Sequence, residues 1–304
     1  MTPLQEKTLK VLRGGDRPTW PSGFAGELRA DLDARLQTVV DTFGVDDVYV
    51  TKRVLSGVHG CQTNWQADRD QKFEWSIPTA RGTIAHKAIE LWVAWRGEAP
   101  APVLAQAGLD RSAATERGLG SWLNQLDVAE RAELEGRVLE LVTHFLEWMP
   151  PIEAGWWPVA ETKIRADFAD RAVGVVGKLD WTVGRADGLT AGKVQVDWKS
   201  GAASPTHNDD LRLYALLETV KIGVPPRLLV DAYLDSGELS VEPVTEGLLI
   251  AAGDRLVDGV KKLAGLQTGG MEPTVQPGGA CTWCPVADGC EQGQTYLQER
   301  KDQQ

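Results

Sequence analysis

Positive charge is in short supply in this chain. Its 32 lysines and arginines stand against 43 aspartates and glutamates, a net charge of −11 over 304 residues. That argues against a protein that coats nucleic acid through bulk electrostatics. It does not exclude chemistry on phosphodiesters, because a divalent ion reverses the local field of an acidic site. A path for DNA would need a local basic groove. Lys52, Arg53, Arg81, Lys87, Lys163 and Arg165 are candidates, most of them readable as ordinary solvated charges. Apolar runs are short as well. None approaches the length of a bilayer-spanning helix, so no membrane association is expected. The opening Met1-Thr2-Pro3-Leu4-Gln5-Glu6-Lys7 lacks the apolar stretch of a signal peptide, and the expectation is a cytoplasmic chain. There is no internal repeat, no low-complexity tract and no Gly-x-x-x-x-Gly-Lys-Ser/Thr phosphate loop. Cysteine is sparse too, at four residues: Cys61, Cys281, Cys284 and Cys290. In a cytosolic chain these read as metal ligands rather than disulfides.

Tryptophan, by contrast, is abundant at 12 residues, which predicts an aromatic-rich core. Residues 1–24, with Gly14-Gly15, Pro18 and Pro21, read as a loose arm. Leu28, Leu32, Leu36, Val39 and Val40 recur with helical spacing and predict a helix over 25–43. Val48, Val50 and Val54 suggest a short extended piece. A second helix is expected from about Thr79 through Trp95, ended by Pro100 and Pro102. A third is expected over 121–148, stopped by Pro150-Pro151. The pattern then changes. Residues 157–165, 173–183, 192–199, 227–234 and 239–244 read as strands, with helices over 208–222 and 246–266. The predicted organisation is an arm (1–24), a helical part (25–150), a mixed core (151–268) and a cysteine-rich segment (269–304) packed back on the helical part, together one structural unit. Helices followed by a mixed core imply an α/β or α+β enzyme.

The chemistry-bearing pattern lies on two successive strands. Gly177-Lys178-Leu179-Asp180 ends the first with a carboxylate. Gln195-Val196-Asp197-Trp198-Lys199 follows after the turn Gly184-Arg185-Ala186-Asp187-Gly188. A strand alternates with period two, so Asp197 and Lys199 share one face while Val194, Val196 and Trp198 cover the other. Asp180 is expected across the hairpin. Phosphodiester hydrolysis needs hard oxygen ligands for a divalent ion, an activated water and a cation beside the developing charge. Two carboxylates and a lysine provide that set.

Gly177-x-x-Asp180 followed by Asp197-Trp198-Lys199-Ser200-Gly201 resembles the core of RecB-family PD-(D/E)XK nucleases. Three further matches follow in order. Gly82-Thr83-Ile84-Ala85-His86 resembles an upstream helix whose histidine ligates the metal. Glu161 resembles the acidic residue on the preceding strand. Leu211-Arg212-Leu213-Tyr214 resembles the helix after the lysine. One position departs, since Asp210 stands where the family has glutamine. The resemblance implies a restriction-endonuclease-like mixed sheet flanked by helices. It implies Asp180, Asp197, Lys199, Glu161 and Tyr214 as catalytic residues, with His86, Asp180 and Asp197 holding Mg²⁺ or Mn²⁺. His59, His144 and His207 have no such context and read as structural. His86 and Glu90 stand four apart, but the rest of a His-Glu-x-x-His zinc-protease signature is missing.

Cys281-x-x-Cys284 followed by Cys290 has the spacing of a metal loop, with Cys61 as the one remaining thiol. Zinc and iron–sulfur clusters both accept four thiolates, and spacing does not separate them. One upstream cysteine and three downstream, flanking a RecB-like core, resemble the iron–sulfur nucleases: AddB-type subunits, CRISPR-associated adaptation exonucleases and related phage nucleases. The resemblance covers roughly residues 55–292 and implies a [4Fe–4S] cluster on Cys61, Cys281, Cys284 and Cys290, with zinc the alternative. It also implies an exonuclease on DNA ends, single strands favoured, in a bacterial or phage-infected cell, working alone or with a separate helicase or recombination protein. Two other readings stand beside it: a non-catalytic iron–sulfur subunit for DNA binding or assembly, and a zinc-binding structural protein.

Overall fold

A computed structural model describes residues 1–69, 71–95, 97–201, 204 and 206–302. In chain order the described helices are α1 (Pro3–Arg13), α2 (Phe24–Phe43), α3 (Lys52–His59), α4 (Gln62–Arg69), α5 (Ile77–Ala94), α6 (Ala101–Thr115), α7 (Leu119–Leu123), α8 (Val128–Trp148), α9 (Asn208–Ile222), α10 (Glu246–Thr268) and α11 (Glu291–Asp302). The strands are β1 (Val48–Val50), β2 (Val159–Phe168), β3 (Val173–Val183), β4 (Val194–Lys199), β5 (Leu228–Tyr233) and β6 (Glu238–Pro243). No described helix is long and apolar enough to cross a membrane. The fold is the expected mixed α/β arrangement, a mixed sheet flanked by helices. Two compact units alternate along the chain. Residues 1–25, 74–164 and 178–249 make the first; 26–73, 165–177 and 250–304 make the second.

In the first unit β3 and β4 run antiparallel, with Trp181 opposite Val196. Strands β4 and β5 run parallel with Asp197 opposite Asp231, and β5 and β6 close the order antiparallel. Helices α5, α6 and α8 pack together, and α9 lies on β4 and β5. The alternation in β4 has its expected result: Val194, Val196 and Trp198 join one buried cluster with Trp181, Val230, Phe145 and Trp148. Trp181 and Trp198 stack at 5.6 Å between centroids, and Phe145 meets Trp198 edge-on at 5.5 Å. Trp148, Trp181 and Trp198 thus form an aromatic layer behind β4.

In the second unit β1 pairs parallel with Val173–Val175 of β3. Leu28, Leu32 and Leu36 of α2 and Leu256, Val260 and Leu263 of α10 are all buried there. Gly253 and Gly259 leave space on α10 for Leu32 and Leu55.

Some elements depart from the sequence expectation. Residues 3–13 are a helix rather than loose arm. Thr2 caps it in a reciprocal box with Gln5, Pro3 opens it, and Leu12 is buried. The helix expected over 121–148 is two, because Asp127 and Glu130 form a capping box that starts α8 afresh. Prolines 100 and 102 do not end a helical region; they open α6. Thr51 likewise caps α3 just after β1, so Val54 is helical.

Candidate active site

The polar face of β4 carries Gln195, Asp197 and Lys199, all buried although none is apolar. Each is met by another polar group. Lys199 Nζ lies 2.5 Å from Asp197 Oδ2, 3.2 Å from Asp210 Oδ2 and 3.6 Å from Asp231 Oδ1. Gln195 Nε2 donates to Glu218 Oε2 at 2.8 Å, and Lys193 pairs with the other oxygen of Glu218 at 2.6 Å. Asp210, Tyr214 and Glu218 are four apart on α9 and form one helical stripe. That stripe runs along β4: Asp210 meets Lys199 at its end, Glu218 meets Gln195 near its start, and Tyr214 is buried between them.

Asp180 lies on β3, beside β4, and accepts a 2.9 Å hydrogen bond from the backbone N–H of Trp198. That bond ties the first carboxylate to the residue between Asp197 and Lys199. His86 Nδ1 is 3.5 Å from Asp180 Oδ2. Gly82, one turn earlier on α5, explains the approach. A Cβ there would come within 2.5 Å of Ser200 Oγ, so a bare backbone lets α5 reach the end of β4. Glu161 on β2 pairs with Lys178 of β3, and its backbone takes a φ of 57°. For a glutamate this is an uncommon conformation, which costs free energy and places the carboxylate where a regular strand would not.

The sequence reading missed Asp231. It sits inside the otherwise apolar run Leu228-Leu229-Val230-Asp231-Ala232-Tyr233, buried beside Asp197. Burial pushes its pKa up to about 6, Lys199 opposing and the Asp197 and Asp210 charges reinforcing the shift. Among the described residues its Oδ1 accepts no hydrogen bond and meets the Lys199 ammonium as an ion pair at 3.6 Å. A lone carboxylate in a strand of buried residues was the available signal, because such a charge is retained only where something binds it. Asp210, which departs from the resembled pattern, is an acceptor for Lys199.

The donor set, carboxylate oxygens with an imidazole, fits a hard divalent ion. Among the described residues no group of three or more His, Cys, Asp or Glu side chains, the four cysteines included, is placed to hold a metal ion; Asp197, Asp210 and Asp231 gather around the Lys199 ammonium instead. Most of the basic residues proposed for a groove are internally paired. Arg53 pairs with Asp68, Arg81 with Asp235, Lys87 with Glu90 and Arg165 with Asp167.

The cysteines all belong to the second unit, and all four are free thiols. The residues after Cys61 are held to Thr274: Gln62 and Thr63 donate to its carbonyl at 3.0 and 3.3 Å, and the Gln62 side chain accepts from its N–H at 2.9 Å. Gly278 N–H donates to Cys281 Sγ at 3.4 Å, and Gly293 N–H to Cys290 Sγ at 3.3 Å. A Cβ on Gly293 would touch both sulfurs, 3.3 Å from Cys290 and 3.6 Å from Cys281. Free thiols with amides aimed at sulfur suit thiolate ligation. Of the remaining histidines, His144 is bonded to the Leu234 carbonyl and His207 to the Tyr233 hydroxyl.

Residues 52–291 match the family model described as the PD-(D/E)XK nuclease superfamily. No curated protein matches the chain. Among solved structures it resembles a proposed exonuclease from Eubacterium rectale, with a TM-score of 0.46 at 12% identity, covering 79% of this chain and 87% of that one. It also resembles SSO0001, with a TM-score of 0.31 at 13% identity, covering 69% of this chain and 95% of that one.

Proposed function

From the premise that this chain belongs to the PD-(D/E)XK nuclease superfamily, we propose that it is a metal-dependent DNA exonuclease, acting on ends with single strands favoured, on a fold stapled by a [4Fe–4S] cluster. The observation that carries the reading is the Lys199 ammonium 2.5 Å from Asp197, on a strand whose Trp198 amide holds Asp180. Asp180 and Asp197, with His86, are the residues to hold Mg²⁺ or Mn²⁺, which when bound supplies Lewis-acid polarisation of the phosphate and a more acidic water. Lys199 orients the attacking water and stabilises charge on the phosphoryl oxygens. Asp210 and Asp231 fix where its ammonium stands, and Asp210 does so in place of the family's glutamine. Glu161, pinned by Lys178, takes a hydrogen bond from water at the edge of the site. Tyr214 keeps α9 seated on β4.

Cys61, Cys281, Cys284 and Cys290 are the residues to hold the cluster. The Gln62–Thr274 clasp next to Cys61 and the amide donors to Cys281 and Cys290 support that assignment over four unconnected thiols. The test is cleavage of end-labelled single- and double-stranded DNA with and without Mg²⁺ or Mn²⁺. Asp197→Ala and Lys199→Ala should each lower the rate by about a hundredfold to a thousandfold while leaving the melting transition in place. Full activity in Lys199→Ala would remove it from the mechanism. DNA binding without cleavage under every metal condition would favour the non-catalytic subunit.

A further inference from the structure

At the other end of β4 from Lys199 the first unit contains a cleft of about 880 Å³. Strand β4 has six residues, so at ~3.3 Å per residue the two places are separated by about 16 Å along the strand. Arg13, Arg17, Arg185 and Arg227 line the cleft with Trp156 and Trp157, against two acids, Glu153 and Asp187. In a chain of net charge −11 this is a local inversion of sign.

The site is built from fixed parts. Arg227 is 3% exposed and donates through its two terminal nitrogens to the carbonyls of Leu12 and Gly14, while its buried Nε has no acceptor among the described residues. Burial and the neighbouring Arg17 charge both lower the pKa of this guanidinium. A cation so placed is stabilised by an anion. The tryptophan wall is anchored to the sheet, since Gly184 N–H donates to the Trp156 carbonyl at 2.6 Å. Trp157 has a φ of 56°, is 54% exposed, and carries the Arg185 guanidinium over its ring at 4.2 Å. An indole with one side on a cation and much of its surface open is a stacking platform for a flat aromatic group. Arginines suit phosphate because their planar fork matches its oxygens.

We propose that this cleft binds a nucleotide, phosphate against the arginines and base on Trp157, as a site separate from the carboxylates. The same chemistry is offered by a free mononucleotide and by one unit of a single strand. The inference stands on the cleft alone, whatever the reaction at Lys199.

Calorimetric titration of the full chain in EDTA, which prevents cleavage, tests it with thymidine monophosphate, a short oligothymidylate and inorganic phosphate. Nucleotide binding is expected, with phosphate alone weaker by about tenfold, and with Trp157→Ala or Arg185→Ala each weakening the nucleotide by about tenfold. Both side chains are exposed at the cleft, and unchanged melting confirms the fold. Asp197→Ala should bind as the wild type does. Equal affinity for monophosphate and oligomer assigns a free nucleotide, and a much tighter oligomer assigns a strand; either upholds the proposal. It is overturned if no nucleotide binds, if both cleft variants bind unchanged, or if Asp197→Ala abolishes binding.

Discussion

Gly82 shows how one missing side chain sets a distance in the candidate site. Alanine there would ask Ser200 to rotate, offset by about 1 kcal/mol of gained helix propensity. Valine cannot be accommodated by that rotation and must push α5 from the end of β4, taking His86 away from Asp180. Gly82→Ala should therefore melt close to the wild type, whereas Gly82→Val should lose about 1–3 kcal/mol. In metal titrations of cleavage the valine variant should need more metal, as His86→Ala should. An unchanged midpoint in both would make His86 an ordinary helix residue. Asp231 gives a pH prediction with a definite sign. Its pKa rises on folding from 3.8 to about 6, so the folded state holds the proton more tightly than the unfolded chain does. Stability is unaffected well below 3.8, falls as pH rises between the two values, and stays reduced above 6. In metal-free buffer Asp231→Asn should raise the melting temperature at pH 8 and have little effect near pH 4. A gain of equal size at both pH values would assign the effect to packing.

At the scale of elements, β4 was legible because two signals coincided. Period-two alternation put Val194, Val196 and Trp198 inside, and charges at Asp197 and Lys199 broke what would be a fully apolar strand. Strand β5 hid its carboxylate because an apolar run gives length but no face. Helix α6 was missed because prolines 100 and 102 were read as a stop, yet at the first turn proline loses no hydrogen bond and favours a helix start. Helix α1 was missed because Gly14-Gly15, Pro18 and Pro21, which lie beyond its end, set the reading of the whole arm. The stripe Asp210, Tyr214, Glu218 needed the register of α9 against β4, a tertiary fact with no sequence mark. The layer behind β4 supports a stability prediction. Trp198→Ala removes the stack on Trp181 and the edge contact with Phe145 and should cost about 3–5 kcal/mol in denaturant unfolding. Trp198→Phe should recover a large part of that and keep cleavage, because the donor to Asp180 is the backbone amide. Activity lost in Trp198→Phe at full stability would mean the indole itself touches substrate.

At the scale of the whole molecule, the second unit holds a long-range closure with a thermodynamic consequence. Gln62 and Thr274, 212 positions apart, share two hydrogen bonds, and the Thr63 N–H adds a third to the Thr274 carbonyl. Cys61 precedes this clasp and Cys281 follows it, so a cluster on the four thiols would convert a hydrogen-bonded contact into a covalent one. Closing a loop this long restricts the unfolded chain by about 5 kcal/mol in the chain-entropy estimate made for disulfides. That is comparable with the total stability of a typical domain, about 5–15 kcal/mol. His59, two residues earlier, adds a pH dependence to the same region. Its Nε2 bonds to the Arg255 carbonyl, and burial first, then the charge of Arg255, lowers its pKa. A histidine held neutral in the fold stabilises nothing above its ordinary value of about 6.5, and stability is lost as pH falls below it. Cys61→Ser should consequently lose visible absorbance, iron and sulfide together and melt far below the wild type, although it alters no residue of the carboxylate–lysine site. It should also become more sensitive to acid, since a region held only by hydrogen bonds opens more readily when His59 protonates. Iron and sulfide analysis of both proteins, with melting curves at pH 8 and pH 5, decides the matter. A serine variant that keeps a full cluster would place the fourth ligand elsewhere. One that loses the cluster but melts as the wild type does would show that the clasp around Thr274 closes the loop by itself.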